Sequence, residues 1–246
     1  MRSLMQSSPL STSEIAALNQ RFETLTSQEI IRWSNEQFGD DLITTSSFGD
    51  PIIAHMTWST VASSSVTLID TQYLFAQTLW YANNIADNLK GNLVVLSPAE
   101  TVKPDDLWMR DTATCCAIRK VAPLEHALNS KRAWVTGLRR DDSTSRANTP
   151  LISHDMLRDV IKINPLANFT QNDYTNYLQA HQLEEHPLAG QGYSSIGCWP
   201  CTQPASVDGD ARSGRWAGTE KSECGLHVTQ DGTLTRATIE LAKENA

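Results

Sequence analysis

The sequence has 246 residues, 40% of them hydrophobic, and a formal net charge of −8. That length supports one sizeable α/β core, with no repeat period or low-complexity tract. The acidic balance excludes a surface given over to nucleic acid, and no apolar run reaches membrane-spanning length. In chain order, spaced apolar positions from Ile15 to Ile31 predict two helices over 13–38, with Ser11 or Ser13 as the first cap. A strand is expected at 41–44, then the small-residue turn Thr45-Ser46-Ser47-Phe48-Gly49, then a helix with Pro51 in its first turn. A strand at 66–69 ends at Asp70, a helix covers 76–89, and a third strand lies at 93–96. A helix over 116–128 precedes a strand at 133–136, stopped by Gly137. A strand at 160–163 and a helix at 170–181, opened by Thr170 with Asp173, complete the periodic part.

Strands alternating with helices imply an α/β fold with a parallel sheet. The whole chain, 1–246, reads as one domain: N-terminal helices at about 13–38, an α/β core at about 40–186, and an aperiodic stretch at about 187–232. That last stretch is rich in Gly, Pro, Ser and Cys and reads as an ordered functional loop or a mobile tail. In parallel sheets ligands bind beyond the carboxyl ends of the strands. Thr45–Gly49, Asp70 and Gly137-Leu138-Arg139-Arg140 fall on that edge. Ser46 and Ser47 make the first of these a candidate phosphate turn, although it is not a Walker loop and lacks the Ser-Gly-Gly-x-Asp-Ser pattern of ATP pyrophosphatases. Basic residues gather at Arg119–Lys120, Arg139–Arg140 with Arg146, and Arg212 with Arg215, which suits a small anionic ligand. Met1 to Thr12 is polar and lacks the apolar stretch of a secretory signal, so a cytoplasmic location is expected.

There are five cysteines: Cys115, Cys116, Cys198, Cys201 and Cys224. An odd count in a chain of this kind argues against a disulfide framework and for metal or redox chemistry. Cys115–Cys116 and Cys198-x-x-Cys201 are two separated pairs, the usual way to enclose a four-thiolate site. A structural zinc ion needs four sulfurs converging on one point, which adjacent cysteines do poorly. A [4Fe–4S] cluster offers each thiolate its own iron, so the spacing favours the cluster without removing zinc or unligated cysteines. Arg119 and Lys120 would offset the cluster's negative charge, or form a solvated pair in the first helical turn. Cys224, in Glu223-Cys224-Gly225-Leu226-His227, is left over. It reads either as a small buried hydrophobe or as an accessible nucleophile assisted by His227.

Taken together, the pieces resemble the assimilatory sulfonucleotide reductases, and within them the iron–sulfur type that acts on adenylyl sulfate. The matching segments are T-T-S-S-F-G at 44–49, L-I-D-T-Q-Y-L-F at 68–75, C-C-A-I-R-K-V-x-P-L at 115–124 and T-G-L-R-R at 136–140. They continue with K-I-N-P-L at 162–166, H-P-L-x-x-Q-G-Y-x-S-I-G-C-x-P-C-T at 186–202, G-R-W at 214–216 and E-C-G-L-H at 223–227. The resemblance implies an adenine nucleotide α-hydrolase-like fold and one [4Fe–4S] cluster on Cys115, Cys116, Cys198 and Cys201. It also implies Cys224 as nucleophile, with Lys120, Arg212, Arg215 and His227 around the sulfate, and Ser46, Ser47, Asp70, Arg139 and Arg140 toward the nucleotide. The reaction implied is reduction of adenylyl sulfate to sulfite and AMP through an S-sulfocysteine. No second free cysteine is left to resolve that adduct, so thioredoxin or glutaredoxin is the implied reductant. Members acting on 3′-phosphoadenylyl sulfate usually lack the four cluster cysteines; that substrate, or use of both, is the alternative. More remote are an ATP-dependent adenylyl-transfer or sulfur-insertion enzyme on the same fold, and a non-catalytic zinc or iron–sulfur module. A homo-oligomer is left open.

Overall fold

The computed structural model describes residues 10–206, 210–216 and 226. Its frame is six strands: β1 (Leu42–Thr45), β2 (Ser65–Ile69), β3 (Asn92–Leu96), β4 (Ala133–Val135), β5 (Ile152–Asp155) and β6 (Val160–Ile163). They form one sheet in the order β3-β2-β1-β4-β6-β5. Every pairing is parallel except β5 with β6. β5 is absent from the sequence reading because Ile152-Ser-His-Asp holds one apolar residue and shows no alternation. It is made a strand by β6 on one side. On the other, the Asn19 side chain donates to the Ile152 carbonyl at 2.6 Å and accepts from its N–H at 3.1 Å, closing part of the sheet edge.

The helices are α1 (Thr12–Phe22), α2 (Ser27–Phe38), α3 (Ile52–Thr60), α4 (Ala76–Leu89), α5 (Leu107–Arg110), α6 (Thr112–Cys116), α7 (Ala122–Leu128) and α8 (Gln171–His181). Capping boxes open α1 at Ser11 with Glu14, α2 at Thr26 with Glu29, and α8 at Thr170 with Asp173. Period-two alternation divides the core. On β4, Ala133 and Val135 face a cluster with Phe22, Ile30, Ile31, Ile52 and Met56 from α1, α2 and α3. Trp134 faces the opposite side, against Val121, Leu124 and Leu128. A third cluster joins Val66 and Leu68 of β2 to Trp58 of α3 and Tyr81 and Ile85 of α4. Both faces of the sheet are thus covered, as a parallel sheet requires. Among the described residues no helix is long and apolar enough to cross a membrane.

Two features position the site. Strand order reverses at β1, with β2 and β3 to one side and β4 and β6 to the other. A crevice therefore opens beyond the carboxyl ends of β1 and β4. The helix expected over 116–128 also starts earlier. Asp111 caps it by accepting from Thr114 N–H at 3.0 Å, and α6 runs into a π-helical turn, Ala117–Val121, that runs on into α7. π-turns of this kind sit disproportionately at functional sites. Of the aperiodic stretch expected at 187–232, the described part is an ordered loop with short 3-10 turns at Ala189–Gln191 and Trp199–Cys201.

Candidate active site

Cys115 and Cys116 close α6 immediately before the π-turn. Cys198 and Cys201 bracket a tight turn in which Cys201 N–H donates to the Cys198 carbonyl at 3.0 Å, bringing both side chains to one side. Trp199 N–H donates to the Tyr73 carbonyl at 2.8 Å, and Leu74 bridges Cys198, so the loop is tied down beside the segment after β2. All four cysteines then line a single hollow with Thr71, Trp108 and Arg119, and Thr71 Oγ1 lies 3.2 Å from Cys198 Sγ. Burial, followed by the sulfurs of Cys116, Cys198 and Cys201, pushes the Cys115 thiol up to about 12, with Arg119 pulling the other way. Among the described residues no group of three or more Cys, His, Asp or Glu is placed to hold one metal ion.

Arg119 is 1% exposed. Its guanidinium donates to Gln72 Oε1 and the Lys103 carbonyl, pairs with Asp105 at 3.2 Å, and lies 4.7 Å from the centre of the Tyr73 ring. It therefore locks the π-turn to both flanking loops. Lys120, the next residue, faces differently: it borders both the cysteine hollow and a larger cleft.

That cleft has a volume of about 600 Å³ and sits where the fold predicts, beyond β1 and β4. It is large enough for a mononucleotide. One wall is the Thr45–Asp50 turn. Phe48 adopts φ 51°, and its N–H donates to Ser46 Oγ at 3.0 Å, which leaves the Ser46 hydroxyl proton for a ligand. The opposite wall is Thr136–Arg139. Arg139 pairs with Asp142 at 2.8 Å, and its Nη1 is buried with no hydrogen-bond partner. Burial raises the Asp50 carboxyl above the usual carboxylate range while Arg139 opposes the shift.

The third wall is the 210–216 segment, laced onto the cysteine loop. Gln203 N–H donates to the Gly214 carbonyl at 2.8 Å, Thr202 bridges Arg215, and Trp216 N–H donates to the Cys201 carbonyl at 3.0 Å. Arg215 and Arg212 lie 4.5 and 5.6 Å from the centre of the Trp216 ring, and both line the cleft. Leu226 lines it too.

The structure thus brings Ser46, Ser47, Lys120, Arg139, Arg212 and Arg215 to one cleft and the four paired cysteines to the adjoining hollow. Two expected nucleotide contacts fall elsewhere. Asp70 accepts from Gln72 N–H at 2.9 Å and shapes the loop that holds Arg119; it is not part of the cleft wall. Arg140 points away, donating to the Thr149 carbonyl, Asn168 and Glu23, and so staples the end of α1 to the loop after β6. In an extended segment alternate residues face opposite ways, which is why only one arginine of the pair reaches the cleft. Cys224 and His227 lie outside the described residues. The sequence reading missed Asp50, Asp142, Tyr174 and Glu185 as cleft residues; the Asp141–Asp142 pair directly after Arg139–Arg140 was the one signal available.

A family model described as the phosphoadenosine phosphosulfate reductase domain matches residues 41–204. The chain belongs to this family. Within it, the protein named adenosine 5′-phosphosulfate reductase from Streptomyces coelicolor is 42% identical over 226 residues, which is 88% of this chain and 96% of that one. A protein of the same name from Mycolicibacterium smegmatis is 40% identical over 208 residues, 82% of this chain and 88% of that one. Among solved structures, a phosphoadenylyl-sulfate (PAPS) reductase from Candida auris, crystallised as a phosphate complex, superposes with a TM-score of 0.70. It is 28% identical, and the match covers 80% of this chain and all of that one. The fold is accordingly the adenine nucleotide α-hydrolase-like one. An FMN adenylyltransferase from Candida glabrata shares that fold alone, with a TM-score of 0.55 at 14% identity over 88% of this chain and 81% of that one. The match to the reductase family spans both cysteine pairs and ends before Arg212.

Proposed function

We propose that this reductase converts adenylyl sulfate to sulfite and AMP, in the cytoplasm and in the service of sulfate assimilation, with a thiol reductant supplied by thioredoxin or glutaredoxin. The observation that carries the reading is Lys120, which borders both a nucleotide-sized cleft and a hollow lined by four cysteines. Adenylyl sulfate names the substrate in preference to the 3′-phosphorylated compound because relatives at about 40% identity carry that name.

The four sulfurs fit a [4Fe–4S] cluster. They share one hollow, and burial together with the neighbouring sulfurs pushes the Cys115 thiol up, while Arg119 and Lys120 stand beside them with positive charge. Cys115, Cys116, Cys198 and Cys201 would hold it, and when bound it would supply a fixed knot and a local field rather than electrons. The nucleotide phosphate lies on the Ser46–Ser47 turn. Lys120, Arg212 and Arg215 bind the sulfate oxygens and offset charge as the bond to AMP breaks. Leu226, two residues after Cys224 in the sequence, is in the cleft wall, which supports Cys224 as the nucleophile in this reading.

The Cys224 thiolate attacks sulfur, the sulfur–oxygen bond to AMP breaks, and Cys224 carries the sulfonate. His227 aids by stabilising the thiolate. A thiolate of the reductant next attacks Cys224 Sγ, and sulfite leaves with the electron pair of the broken sulfur–sulfur bond. The second thiol of the reductant resolves the mixed disulfide, so the dithiol is oxidised by two electrons and Cys224 returns as thiolate.

The test is Cys224→Ser in anaerobic protein. The variant should retain about four irons and four sulfides per chain, bind adenylyl sulfate and release no sulfite. Wild type given substrate without reductant should stop after one turnover, with a sulfonate on the peptide containing Glu223-Cys224-Gly225. Multiple turnovers by the serine variant, or an adduct on another residue, would overturn the mechanism. Stoichiometric zinc without sulfide would remove the cluster.

A further inference from the structure

Ile196, Gly197 and Cys198 run between the phosphate turn, the 210–216 segment and the four-cysteine hollow. A side chain at Gly49 of the phosphate turn would stand 3.6 Å from the Ile196 carbonyl, and Cys198 bridges Leu74 beside the four-cysteine hollow. Between them, Gly197 lies directly under Arg215: a Cβ there would stand 2.6 Å from Arg215 Cζ and 2.8 Å from its Nη1, well inside contact distance. Gly197 does not adopt the left-handed conformation, so the backbone itself does not demand glycine. Gly214 is different, because a Cβ there would collide with the Gln203 backbone.

We propose that Gly197 is a positioning residue, whose missing side chain lets the Arg215 guanidinium lie flat between its backbone and the Trp216 ring and so face the cleft. The inference rests on the reading of Arg215 as a sulfate ligand. Arg215 has little freedom otherwise. Its backbone is bridged to Thr202, its Nε is buried, and the Trp216 ring fixes its other face. An alanine at 197 needs no backbone change, and the flexible end of Arg215 is what must move. The cysteine loop and the cationic arm are thus matched through one hydrogen atom, which sets where the sulfate end of a ligand sits relative to the paired cysteines.

The test is a double-mutant cycle of Gly197→Ala and Arg215→Ala in anaerobically purified protein. Arg215→Ala should lower kcat/KM for adenylyl sulfate about 100-fold, as expected on losing one charge-assisted oxyanion contact. Gly197→Ala should lower it by about tenfold, and the double variant should fall within about threefold of Arg215→Ala alone, because the glycine acts through the arginine. Iron content and thermal stability of Gly197→Ala should match wild type. In a Cys224→Ser background, Gly197→Ala should weaken adenylyl sulfate binding while leaving AMP binding unchanged. A normal Gly197→Ala beside an impaired Arg215→Ala overturns the inference, as does a Gly197→Ala effect that persists in full without the arginine. A normal Arg215→Ala instead overturns the reading of Arg215, and the inference with it.

Discussion

Adjacent residues in this chain are repeatedly assigned opposite tasks. Arg119 is buried, held by Gln72, Lys103 and Asp105, and holds loops together; Lys120 faces the cleft. Lys120→Ala should therefore reduce kcat/KM by the equivalent of about 2–4 kcal/mol, a typical cost of one lost oxyanion contact, with iron content unchanged. Turnover within a factor of two of wild type would take Lys120 off the sulfate. The arginine pair divides in the same way. Arg139→Ala should raise KM, because its unpartnered Nη1 lies in the cleft wall. Arg140→Ala should leave KM alone and cost about 1 kcal/mol of unfolding free energy in denaturant titration, since its partly exposed bridge to Glu23 is a surface interaction. Equal effects of the two on KM would contradict the orientation described. The sequence marked both arginines as candidates. It does not show which one faces the ligand, because that depends on how the strand end twists over Asp142.

At the level of elements, the amphipathic helices and central strands were legible because burial imposes its period on them. The cap of α1, offered as Ser11 or Ser13, and the capping box at Thr170 were legible because they satisfy orphan helix N–H groups locally. β5 and the start of α6 were not, since the first depends on Asn19 from a distant helix and the second on a short polar segment. The Cys-rich loop gave no periodic signal because hydrogen bonds and sulfur positions, not apolar burial, organise it. One element-scale contact has a pH signature. His186 pins the start of that loop to α4: Leu188 N–H donates to its Nδ1 at 3.1 Å, so its Nε2–H is the donor to Thr78 Oγ1 at 3.0 Å. Burial pushes His186 down to about 4. The folded state thus favours the neutral ring, and this contribution is complete above the unfolded value near 6.5 and is lost as pH falls toward 4. His186→Gln should flatten the fall in stability between pH 6.5 and 4.5 by on the order of 2–3 kcal/mol relative to wild type, measured by urea denaturation. Parallel pH profiles for the two proteins would show that His186 is not the titrating group.

Across the whole molecule, charges of both signs are set along the cleft, and only part of that arrangement was visible in a net charge of −8. Lys120, Arg212 and Arg215 stand at the end beside the cysteines; Asp50, Asp141, Asp142 and Glu185 line the rest with Arg139 and Arg146. Those two arginines both pair with Asp142, at 2.8 and 2.9 Å, so much of their charge is neutralised before a ligand arrives. A sulfate held at the cationic end directs the nucleoside toward the carboxylates. A 3′-phosphate adds close to two negative charges to that nucleoside and would meet Asp142 or Glu185 at short range, in a cleft that screens them poorly. Adenylyl sulfate should therefore exceed its 3′-phosphorylated analogue in kcat/KM by at least about tenfold, equivalent to about 1.4 kcal/mol, in anaerobic assays with thioredoxin. Asp142→Asn removes one carboxylate and releases two guanidinium groups, so it should narrow that ratio chiefly by improving use of the 3′-phosphorylated compound. A wild-type ratio favouring the 3′-phosphorylated compound would reassign the substrate while leaving the thiol chemistry in place. An unchanged ratio in Asp142→Asn would show that the discrimination arises elsewhere than in this paired cluster.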